Sequence, residues 1–109
     1  MPYDEKLDGR IRGVLSSWKN TDHKKMFGGV GYLLNGNMVC GVYKDFLILR
    51  LGDEEAQTAL ARPHVKPLDI TGRPMKGWIM VEPEGCASVE ALSEWLDRAR
   101  AFVQQLPPK

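Results

Sequence analysis

At 109 residues, with 43% hydrophobic and 27% charged residues, the chain has the size and composition of one ordinary globular domain. A formal net charge of +1 argues against a dedicated nucleic-acid binder, and no apolar run approaches the ~18 residues that a membrane helix needs. The polar opening MPYDEKLDGR has no apolar signal core, and Cys40 and Cys86 share no CxxC spacing, so a reduced, cytoplasmic protein is expected.

The first element is a helix over residues 3–18. Tyr3, Leu7, Ile11, Val14, Leu15 and Trp18 recur at spacings of three and four, and Asp4 and Glu5 suit the positive end of the helix dipole. Gly9 and Gly13 weaken it by roughly 1 kcal/mol each relative to Ala, so tertiary packing must hold it. Strands follow. HKKMF is a short one, and VGYLL and NMVCGVYK flank Asn35-Gly36, a pair that tolerates the positive φ of a type I′ hairpin turn. Lys44-Asp45 turns the chain again into FLILRL. GDEEAQTALARP reads as a short helix with Asp53 as N-cap and Pro63 as its stop. Residues 63–76, with three prolines and a glycine, read as a loop, and GWIMV as the last strand. Ser88 caps the final helix, whose apolar face runs from Val89 to Leu106 and whose Glu94 and Arg98 stand at i, i+4.

Strands grouped between helices predict an α+β fold with a mainly antiparallel sheet of about five strands and N-terminal and C-terminal helices. Its strands are apolar on both sides. FLILRL, VCGVY and WIMV lack the polar alternation of a sheet with one wet face. The second face is therefore expected to be covered by a loop, a helix or another subunit, which makes a homodimer one expectation.

No catalytic set emerges. The glycines of FGGVGYLL do not make a dinucleotide or phosphate loop, because the chain enters a strand where a helix N-terminus is required. They fit a turn or a close backbone approach instead. His23, His64, Cys40 and Cys86 contain no short chelating pair. Cys86 lies near the start of a helix, where a thiol can become reactive, but reads more simply as an incidental loop cysteine. The acidic run 53–55 is explained by the helix start. Hence neither a metal, a cofactor nor an enzyme activity is expected. ITGRPMKGW is the polar stretch with most to offer, since Pro74 stiffens the backbone that carries Arg73, with Lys76 nearby. Lys24, Lys25, Arg50, Arg73 and Lys76 are thus the candidate contacts for a protein partner or a phosphate backbone.

KKMFGGVGYLLNGNMVCGV, LILRLG, DITGRPMKGWIMV and the closing LPPK resemble, in order and through nearly the whole chain, the N-terminal domain of the TfoX (Sxy) family. The resemblance implies a two-layer α+β domain similar to type III secretion-chaperone folds. It also implies a bacterial, non-enzymatic module related to regulators of natural competence, which act with a cyclic-AMP receptor type transcription factor. Those regulators carry a further helical C-terminal domain for which these 109 residues leave no room, so the module alone is implied. A protein partner of transcription-factor type is the leading expectation, direct nucleic-acid binding the alternative, and a small-ligand binder or enzyme the third.

Overall fold

The computed structural model describes residues 3–26, 28–69, 72 and 74–108. Helix α1 (Glu5–Leu15) is followed by strands β1 (Thr21–Met26), β2 (Gly29–Leu34), β3 (Asn37–Tyr43) and β4 (Phe46–Arg50), then by helix α2 (Asp53–Ala59). Strands β5 (Val65–Pro67) and β6 (Trp78–Val81), a 3-10 turn (Pro83–Cys86) and helix α3 (Val89–Val103) complete it. The strands form one six-stranded sheet in the order β1-β2-β3-β4-β6-β5, with every neighbouring pair antiparallel. The fold is α+β, as the element order predicts.

Local chemistry places the boundaries. Asp4 caps α1, accepting from the N–H groups of Lys6 and Leu7, and Ser88 caps α3, accepting from Ala91. Asn35 and Gly36 both have positive φ, 54° and 83°, as the hairpin between β2 and β3 requires. Two expectations change. Asp53 is the first helical residue of α2 and not its cap; Gly52 holds the cap position at φ 86°, and no side chain bonds there. Residues 65–67, expected as loop, form β5, a short edge strand whose Pro67 stands where a sheet tolerates proline.

The sheet has one helix-side face. There α1 lies against β3, and α3 against β3 and β4. Ile11, Leu47, Leu49, Ile79, Leu96 and Val103 are completely shielded at its centre. A bulge between Tyr32 and Leu33 puts one extra residue into β3, so Val39 and Cys40 are both fully buried where simple alternation would turn one of them away. The opposite, outer face carries Leu33, Met38, Phe46, Met80 and Trp78 half-buried. Ile48 and Leu68 are buried as well, yet neither joins the helix-side core cluster, so a second, smaller apolar layer exists on this side.

The glycines of the opening hairpin are architectural. Gly28 has φ 75°, and a Cβ on Gly29 or Gly41 would collide with the carbonyl oxygen of Val42 or Val30 on the neighbouring strand.

Candidate functional site

The outer face assembles from segments far apart in sequence. Register places Tyr43 beside Phe46, Ile48 beside Met80, and Arg50 beside Trp78. Cations lie over the rings. The Arg50 guanidinium is 5.6 Å from the centre of Trp78, the Lys44 ammonium 5.5 Å from Tyr43, and the Lys66 ammonium 5.9 Å from Phe46. The result is an aromatic and aliphatic surface rimmed by positive charge, with Lys66 also paired to Glu82 at 3.6 Å.

The sequence-predicted contact residues do not gather into one patch among the described residues. Lys24 and Lys25 are exposed on β1, but on opposite faces: Lys24 stands opposite Gly31, and Lys25 opposite Val30 of the buried face. Three strand spacings, roughly 14 Å, separate β1 from β4, where Arg50 sits. Lys76 forms an ion pair with Asp53 at 3.6 Å. Arg73, together with Thr71, lies outside the described residues.

Arg50, Asp53, Lys76, Trp78, Phe102 and Gln105 border a cleft of about 610 Å³ at the edge of the outer face. Its volume is that of a small-molecule site. Its polar lining, however, is largely committed: Asp53 and Lys76 neutralise each other, Arg50 covers Trp78, and the main-chain N–H groups of Leu51 and Gly52 bond to the Gly77 carbonyl.

One polar cluster, built on buried Asp8 and Tyr32 with Arg12 at its exposed edge, escapes sequence reasoning. The Tyr32 hydroxyl donates to Asp8 Oδ1 and accepts from Arg12 Nε at 3.0 Å, while Arg12 Nε lies 3.2 Å from Asp8 Oδ2. Burial and the hydrogen bond to Asp8 hold the Tyr32 phenol well above its ordinary pKa. The three groups satisfy one another and tie α1 to β2. Only the i, i+4 spacing of Asp8 and Arg12 hinted at the arrangement.

Neither cysteine is poised for chemistry. Cys40 is completely shielded, and burial pushes its thiol far up. Cys86 is 1% exposed in the 3-10 turn; burial raises its pKa too, and nearby Arg10 only partly opposes this. Arg10 instead donates to the carbonyls of Cys86, Ala87 and Ser88, joining α1 to the start of α3. Among the described residues, no three His, Cys, Asp or Glu side chains are grouped to hold a metal, and no helix is long and apolar enough to cross a membrane.

Comparison with curated proteins and with solved structures gave no match. The family model described as TfoX N-terminal domain matches residues 14–103, which include every strand, α2 and α3. A match over that much of the chain establishes that this protein belongs to the TfoX N-terminal domain family.

Proposed function

We propose that the chain is a non-enzymatic interaction module that engages a protein partner of transcription-factor type through the outer face of its sheet. The observation that carries this reading is the row of half-buried Phe46, Trp78 and Met80 under a rim of stacked Arg50 and Lys66. Aromatic side chains and arginine supply most of the energy at protein interfaces, whereas a base-stacking platform needs ring faces that are free. The side chains of Asp8, Arg12 and Tyr32 satisfy one another, which supports a structural role for them over a catalytic one. The family's competence regulators suggest a cyclic-AMP receptor type factor as the first partner to try. In a pulldown with that purified factor, the wild-type chain is expected to retain it and Trp78→Ala to lose it. Equal retention by wild type and Trp78→Ala would remove the outer face from the reading. Retention by neither, combined with salt-sensitive binding to single-stranded DNA, would replace it with nucleic-acid recognition.

A further inference from the structure

The two edges of the sheet are unlike. β5 is three residues long and includes Pro67, so it offers little to another strand. β1 is six residues long, pairs among the described residues only with β2, and is exposed from Thr21 to Lys25. Its free side can be read from the ladder. The Asn20 carbonyl accepts from Asn35 N–H across the β1-β2 pair, so even-numbered residues turn their main chain inward and Thr21, His23 and Lys25 turn theirs outward. His23 N–H agrees with this: it donates to the carboxylate of Asp22, 2.8 Å away, and not to β2.

The geometry points to β1 as a homodimer edge that pairs antiparallel with β1 of a second copy, in a register centred on His23. Such a pair has a two-fold axis perpendicular to the sheet, so residues placed opposite each other share a face. Centring on His23 sets Thr21 opposite the partner's Lys25 and Asp22 opposite the partner's Lys24. The outward main-chain groups of all three odd-numbered residues are then used, giving about six inter-strand hydrogen bonds. The charges select this register over its neighbours. Moving the centre to Asp22 sets two carboxylates face to face, and moving it to Lys24 sets two ammonium groups face to face. Lysines on an open edge ordinarily repel a foreign strand. Here Asp22, two residues from Lys24, makes the edge complementary to its own copy. On pairing, Asp22 releases His23 N–H to the partner's main chain and takes the partner's Lys24 instead. The two outer faces then lie on the same side of one continuous sheet. This inference goes beyond the partner-binding reading and does not need it, since it uses the edge and not the face.

Sedimentation velocity of the full chain over a wide concentration range tests it, with circular dichroism melts confirming that each variant folds. Wild type is expected to dimerise. Asp22→Lys and Lys24→Asp should each weaken the dimer by about tenfold or more, since each puts like charges opposite each other twice. A mixture of these two variants, and the double exchange Asp22→Lys/Lys24→Asp, should restore it. A wild type that stays monomeric overturns the proposal. So does a dimer indifferent to both single reversals, or a mixture of the two variants that remains monomeric.

Discussion

The two faces of the sheet use the same strands and similar side chains to different ends. Cys40, Leu49 and Ile79 form a row on the helix side in which every residue is fully shielded. One position along each strand, Gly41, Ile48 and Met80 form the matching outer row, where Gly41 and Ile48 are buried but Met80 is only half-buried. Apolar character alone therefore does not identify the core. What separates the faces is the cover: α1, α2 and α3 pack on one side, and among the described residues no helix packs across the other. Burial on the first face stabilises the fold, whereas apolar surface left half-covered on the second is available for association.

The sharpest way to break that comparison is to truncate one residue on each face. Leu49→Ala should cost about 2–5 kcal/mol of unfolding free energy, as deletion from a closed core does. Met80→Ala should cost less than half of that, because part of its surface is already in water. Urea unfolding of the two variants measures the difference; equal losses would mean that both faces are core.

Glycine gives the next largest contrast. Gly41→Ala drives a methyl group into the Val30 carbonyl and should cost about 1–3 kcal/mol. Gly9→Ala, on the exposed side of α1 with nothing within 4 Å, should instead gain up to about 1 kcal/mol. Thermal melts of the two should therefore shift in opposite directions.

These contrasts also show how far the sequence could be read. Local signals gave the Asn35-Gly36 hairpin, the Ser88 cap and the Glu94–Arg98 pair, because each is settled by residues within one turn or one hairpin. β5 was hidden because its three residues, Val65 to Pro67, carry a proline and lie in a proline-rich stretch. The bulge at Tyr32/Leu33 was hidden because both sides of β2 and β3 are apolar there, so no polar residue marks the change of phase. The apolar doubling of FLILRL did announce a second apolar surface, which the structure leaves half-covered. Which aromatic residues share it depends on register between β3, β4 and β6, and no single segment carries that. Of the predicted contacts, Arg50 joined this surface through Trp78, while Lys24 and Lys25 fell on the far edge.

The Asp8–Arg12–Tyr32 cluster lies at the margin of the helix-side face and should give an intermediate effect. Tyr32→Phe removes one hydroxyl between two charged groups and should cost about 1–3 kcal/mol near neutrality. Its pH signature has a definite sign. The folded-state pKa of Tyr32 is raised, so its contribution is fully present below the unfolded-state value of about 10 and is lost as pH rises above that. Cys40, also raised, starts the same decline earlier, from its unfolded-state value of about 8.5. Unfolding free energies across the alkaline range should therefore fall in wild type, fall less from pH ~10 upward in Tyr32→Phe, and fall less from pH ~9 upward in Cys40→Ala.

The smallest stability effects belong to two surface cations, half-buried Arg50 and exposed Arg98, and they separate the faces most cleanly. Arg98 on α3 pairs with Glu94 at 3.1 Å and with Glu55 of α2 at 3.6 Å, on the helix side. Arg50 lies over Trp78 on the outer side. Surface ion pairs and exposed cation–π contacts are each worth about 1 kcal/mol or less, so Arg98→Ala and Arg50→Ala should be nearly indistinguishable in an unfolding titration. Binding should distinguish them. If the outer face docks the partner, Arg50→Ala removes the guanidinium that covers Trp78 and should weaken association by about tenfold or more, while Arg98→Ala leaves it unchanged. Both effects are free-energy differences of similar origin, a cation losing its neighbours. Only the one on the outer face would be felt again when the partner arrives, because only there does the same side chain meet a second protein. A partner affinity lowered by Arg98→Ala and not by Arg50→Ala would reverse the assignment of the two faces.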